Sequence, residues 1–288
     1  MLNLKSPTYL QAIILLLIAM VSVQSSGALA KVLFEHFPVL TISAMRLLIG
    51  SLILAFIFKI WQTDFTQVKW KAIISYGFAL AGMNALFYLS IERLPLGIAV
   101  SFEFIGPLSV ALFHARQKFD FIWVGLAILG LVLLFPFDKA SQSLDPIGIA
   151  FALGAGACWA LYIIAGQRPT GVSGNHTVCL GMFVGMLCLM PIALFIGMPV
   201  TVFEPSNFIY FLALAILASA LPFSLEMIAL RNISALSFGT LMSLEPAIAA
   251  FSGFIFLSEQ LLWTQWLALA TIITASIGCT VTTQKAKQ

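Results

Sequence analysis

Charge is scarce in this sequence. Lys, Arg, Asp and Glu make up 9% of its 288 residues, against about 25% in an ordinary soluble domain. A surface so poor in charge cannot be hydrated over a whole globule, so a soluble fold is excluded. Period-2 alternation is absent too. The apolar runs are long and continuous, and that excludes the strands of roughly ten residues, polar on one face, that build a membrane barrel. Only four cysteines occur, Cys158, Cys179, Cys188 and Cys279. Each lies in or at the end of an apolar run and none forms a CxxC pair, which argues against a disulfide frame or a metal site. His36, His114 and His176 are far apart. There is no Walker A loop, no GxGxxG between a strand and a helix, no zinc-spaced Cys/His set and no SxxK motif. No catalytic constellation remains, so the chain reads as a non-enzyme without a cofactor or a nucleic-acid partner.

What the chain has is apolar length. Hydrophobic residues make up 61% and the mean hydropathy is +1.06. A helix needs about 20 apolar residues to cross a bilayer. Ten segments qualify as spans: Ala12–Ala30, Leu40–Ile60, Ala72–Leu89, Pro95–His114, Ile122–Phe135, Ile147–Ala165, Val178–Ile196, Ile209–Met227, Leu236–Leu257 and Leu262–Val281. The fifth is short and starts nearer Phe119. The first is followed by Ala28-Leu29-Ala30, the pattern of a leader cleavage site, but it is long enough to be a span and the repeat below requires it. The connections are short and leave no room for a second soluble domain.

Ten spans place both termini on one side. With those termini in the cytoplasm, ten of the 14 Lys and Arg residues fall on cytoplasmic segments, and Lys31, Arg93 and Lys139 on outer ones. Arg46 lies inside span 2. Positive charge resists translocation, so the bias supports this orientation. The two halves also resemble each other. Residues 96–107, ending in Phe-Ile-Gly-Pro107, align with residues 235–246, ending in Ser-Leu-Glu-Pro246, and the two prolines set an offset of 139. The reading is an all-α membrane protein of ten transmembrane helices in two five-helix repeats, residues 1–140 and 141–288. Five is odd, so the second repeat is inverted relative to the first, a recurring plan of secondary transporters.

Six stretches carry a more specific resemblance: residues 82–91, Pro95–Val100, Glu103–Leu108, Leu153–Ala160, Ala220–Leu230 and Phe238–Ala247. On these the chain resembles the EamA group of the drug/metabolite transporter superfamily, over nearly its whole length. The resemblance implies ten helices in two inverted repeats. It also implies export of small neutral amino acids of the threonine and homoserine kind across the inner membrane. Within the group substrates drift, so aromatic amino acids, drug-like metabolites or uncoupled facilitation stand as the alternative. The protein is expected to act as a monomer or a homodimer in the lipid bilayer.

An amino acid in a low-dielectric cavity needs partners for both of its charges, and ionisable side chains deep in spans are costly unless they are used. Glu103 in span 4 and Glu245 in span 9 are therefore candidate ammonium ligands, or carboxyls that couple transport to protons. Pro107 and Pro246 predict kinks that open backbone carbonyls to a cavity. Glu226 is a candidate gate residue near the cytoplasmic end of span 8, with Arg231 as a possible ion partner. Arg46 is expected to pair with an acid or face the outer vestibule. Gln24, Asn84, Tyr88, Trp159 and Tyr162 are candidate cavity walls. Asn84 and Tyr88 share one helix face, as do Trp159 and Tyr162. Ala152 with Gly156, and Gly181 with Gly185, present small surfaces for close helix packing.

Overall fold

The computed structural model describes residues 8–94, 96–134, 144–248 and 262–285, and among these it is helical without a strand. The first helical segment is α1 (Tyr9–Ser25) followed by α2 (Gly27–Phe34), interrupted at Ser26. It opens on a capping box in which Thr8 and Gln11 satisfy each other's backbone N–H groups. Then come α3 (Val39–Phe58), α4 (Trp70–Ile91), α5 (Leu96–Glu103), α6 (Ile105–His114) and α7 (Lys118–Leu134). The second half holds α8 (Pro146–Gly166), α9 (Gly174–Phe195), α10 (Pro205–Ala215), α11 (Leu221–Asn232), α12 (Ala235–Met242) and α13 (Trp263–Lys285). Residues 244–248 are helical again after α12.

Six of these helical rods are long and apolar enough to cross a bilayer: α3, α4, α8, α9, the continuous rod Pro205–Asn232, and Trp263–Thr283 within α13. The shorter apolar helices are Tyr9–Ser25 and the stretch Ile98–His114. Large apolar side chains point outward, Phe195 at 92% exposure and Trp263 at 81% among them. Water would not tolerate such a surface, whereas lipid does. Several expected boundaries fall outside the described residues: Pro95, Phe135, and the end of the ninth span from residue 249 to Leu257.

The interruptions have physical causes. The predicted fourth span is two helices meeting at Phe104, and α12 stops at Ser243 in the same way. Each break comes three residues before a proline, Pro107 or Pro246, so each proline falls in the first turn of the following helix, where its missing N–H costs nothing. Between α10 and α11 the rod widens into a π-helical turn, Ile216–Ala220, just before Pro222. The wider turn accommodates the proline ring. Pro222 cannot donate to the Leu217 carbonyl, and the Ser22 hydroxyl donates to it instead at 2.7 Å.

Packing joins the two halves throughout. Helix α4 lies along α8 and α9, α3 along α9 and α10, α1 along α11, α6 along α12, and α7 along α13. The central core includes Leu16, Tyr76, Tyr162 and Phe238, all buried. Glycine sets the closest approach. A methyl group on Gly106 would strike the backbone of Gly156, and one on Gly156 would strike the Glu103 carbonyl. Gly181 abuts the Tyr76 ring and Gly185 abuts Leu47 and the Gly77 carbonyl.

Candidate functional site

Polar side chains inside this apolar bundle form three groups. The first joins α3 to α4. Arg46 is 7% exposed. One of its terminal nitrogens donates to the Tyr88 hydroxyl at 2.8 Å and the other to the Asn84 amide oxygen. Its guanidinium carbon lies 5.4 Å from the Tyr88 ring centroid, and the Phe34 ring meets Tyr88 edge-on. Asn84 spends an amide N–H on the Leu80 carbonyl. The expected acid beside Arg46 is not found: among the described residues the guanidinium meets only neutral acceptors, because α4 turns Asn84 and Tyr88, not a carboxylate, toward it.

The second group lies at the helix interruptions. Glu103 ends α5 and is buried, and Glu245 lies two residues past the break at Ser243. The two carboxyls are within coulombic range of each other, and Glu245 is within range of Glu226. Neither Glu103 nor Glu245 has a side-chain hydrogen bond among the described residues. Gln24 of α1 donates its amide N–H to the Glu245 backbone carbonyl at 3.4 Å. Trp159 of α8 meets Phe104 edge-on, with ring centroids 4.9 Å apart.

The third group lies near the start of α4 and the end of α8. The Tyr162 hydroxyl donates to Glu226 at 2.9 Å. The Tyr162 ring packs against Tyr76 at 5.0 Å and near Phe223 at 6.1 Å. Of the two readings of Glu226, gate residue or partner of Arg231, the ion pair is not found among the described residues. Arg231 instead donates to Thr170, Thr177 and the Val172 carbonyl, and so ties the end of α11 to the loop before α9 and to the first turn of α9. Five residues, about 1.4 turns, separate Glu226 from Arg231, so they point in directions roughly 140° apart around α11 and meet different neighbours.

Every sequence-derived candidate therefore falls into one of these groups or, for the two prolines, directly after a break. Sequence reasoning missed Tyr76, Phe104 and Phe223. The signal for Tyr76 was available, because Tyr76, Leu80, Asn84 and Tyr88 recur at four-residue spacing along α4. Phe104 and Phe223 carried none, being two among 25 phenylalanines.

Lipid-facing apolar helices around buried ionisable groups define a multi-pass membrane protein with a polar interior. The chain belongs to the EamA-like transporter family, whose profile matches it twice, over residues 10–135 and 146–281. It is 49% identical over 282 residues to the threonine/homoserine exporter RhtA of Escherichia coli strain K12, covering 98% of this chain and 95% of that protein. The protein of the same description in Salmonella typhimurium strain LT2 is 48% identical over 284 residues, covering 99% and 96%. An uncharacterized transporter of Bacillus subtilis strain 168, YwfM, is 24% identical and covers 91% of each chain. A protein of known crystal structure shares the fold with a TM-score of 0.78 at 17% identity, over 96% of this chain and 99% of that one.

Proposed function

We propose that this protein exports small neutral amino acids, threonine and homoserine first, from the cytoplasm across the inner membrane. The observation that carries the reading is the 49% identity over nearly the full length of an exporter described by those two substrates. The interior agrees with a small cargo: Phe104 packs on Trp159, and Tyr76 on Tyr162, so the large rings fill each other's space.

The mechanism we favour is alternating access between two inverted five-helix repeats, residues 1–140 and 141–288. The twofold match of one family profile supports it. So do the helix interruptions at Phe104 and Ser243, which are related by the same 139-residue offset as Pro107 and Pro246. The packing supports it as well. Exchanging each helix for its counterpart turns the α4–α8 contact into α11–α1 and the α4–α9 contact into α10–α3, and both are present. Glu103 and Glu245 at the two interruptions are the proposed ammonium ligands and proton carriers. Gln24, Asn84, Tyr88, Trp159 and Tyr162 line the path, and Glu226 with Tyr162 closes one end of it.

Radiolabelled threonine flux in oriented membrane vesicles tests the reading, comparing wild type with Glu103→Gln. The expected result is flux in wild type that responds to an imposed pH gradient and falls at least tenfold in the variant. Flux of phenylalanine but not threonine would favour the aromatic alternative. Flux indifferent to the pH gradient would remove proton coupling.

A further inference from the structure

We propose that Arg46, with the Tyr88 hydroxyl, is the anchor for the carboxylate of the transported amino acid, so that a free carboxylate is a requirement for transport. The inference rests on the exporter reading above and names the chemistry of its site.

Arg46 is more than nine-tenths buried and its Nε has no hydrogen-bond partner. Its two bonds go to neutral groups, one from each terminal nitrogen, and each of those nitrogens carries a second N–H. The ion pair found among the described residues is Arg93 with Asp145, at the rim of the bundle. A buried cation without a counter-charge is among the costliest arrangements in a protein interior, and an intramembrane arginine ordinarily pairs. Arg46 is instead held in place by neutral residues. Asn84 has its own amide tied to the Leu80 carbonyl, which fixes its oxygen toward Arg46. Tyr88 accepts from Arg46, and its own proton is donated to no acceptor among the described residues. The result is a set of fixed donors with no acceptor of matching charge. A carboxylate is planar and anionic and takes two N–H bonds from one guanidinium in parallel, so it is the group these donors fit.

Depth in the bundle gives a second, independent argument. Gly82 abuts Cys158 and Leu86 abuts Gly154, so Asn84, between them on α4, is level with Gly156 on α8. The Glu103 carbonyl also abuts Gly156. The Arg46–Asn84 contact and the Glu103 backbone therefore share one depth. An α-amino acid carries its two charges on one carbon, and poles of opposite sign at one depth match it better than they match an amine or an acid alone.

The test is counterflow in proteoliposomes with labelled threonine, challenged by unlabelled threonine, threoninol and threoninamide. Wild type is expected to be inhibited by threonine and not by the two analogues that lack the carboxylate. Arg46→Gln is expected to raise the KM for threonine by about tenfold to a hundredfold. Tyr88→Phe is expected to raise it less, and Arg46→Lys to recover part of the loss. Equal inhibition of wild type by threoninol overturns the proposal, and so does an unchanged KM in a folded Arg46→Gln protein. Should that variant fail to fold, wild-type inhibition and Tyr88→Phe decide. A wild type that moves no threonine refutes the substrate reading instead, and the same carboxylate comparison is then scored on whichever amino acid a counterflow panel shows to be carried.

Discussion

Single residues set the tolerances of this bundle. Gly106 and Gly156 meet backbone to backbone, while Gly125 faces open space. Gly156→Ala pushes a methyl group into the Glu103 carbonyl and toward the Gly106 N–H, so the junction of α5 and α6 must move away from α8, at a cost of about 1–3 kcal/mol. Gly125→Ala is expected to be neutral or to raise stability slightly, since alanine is the better helix former. Melting temperatures in detergent check the contrast, and equal shifts for the two would show that the seam has slack. At this scale the sequence was uneven. Buried charge stands out in an apolar chain, so Glu103, Glu226, Glu245 and Arg46 were legible as interior groups. Their partners were not. Whether Arg46 meets an acid or an amide depends on how α3 and α4 rotate about their axes, and apolar helices with no polar face carry little record of that rotation. The same gap hid Tyr162 as the partner of Glu226, which could equally have been a gate residue or a partner of Arg231.

Helices were legible where hydropathy and breakers agree. The α4 prediction of Ala72–Leu89 is within two residues of Trp70–Ile91 at each end. The interruption of the first segment at Ser26 was missed, because no proline announces it. The turn that enters α8 shows how an end is held. Asp145 caps the helix by accepting from the Ile147 N–H at 2.9 Å, and it pairs with Arg93 at 2.8 Å. The Arg93 guanidinium, and after it the Ile147 N–H, hold the Asp145 carboxyl below its ordinary range. A lowered folded-state value means that the stabilisation is complete above the ordinary aspartate pKa and is lost as pH falls through the lowered one. Wild type should therefore out-melt Asp145→Asn by a constant margin from neutral pH down to about pH 5, and the margin should close below about pH 4. A margin that closed nearer neutrality would point to a different group. Both partners are partly exposed, so the margin is small.

For the whole molecule, the proposed orientation rests on charge. Lys69, Lys71, Arg116 and Arg168 stand at helix ends or in loops on the side assigned to the cytoplasm, while Arg93 stands at the opposite side. A fluorescent protein fused after Gln288 should therefore mature in the cytoplasm, and alkaline phosphatase inserted near Gly197 should be active outside. The opposite pair of results would invert the proposed direction of export. The proposed repeat is signalled in sequence by its two prolines, but the contacts between the halves were not legible, because pairs such as α3 with α9 join residues more than a hundred positions apart. The glycine seam between α6 and α8 has a consequence for altering the cargo. The α4 wall presents side chains, of which Asn84 and Tyr88 are committed to Arg46, whereas the α6–α8 seam meets backbone to backbone and has no side chain to trim. Redesign of this carrier for bulkier amino acids therefore has an adjustable part and a fixed part: new volume has to be carved from α4 side chains other than Asn84 and Tyr88, with Gly106 and Gly156 left as the frame.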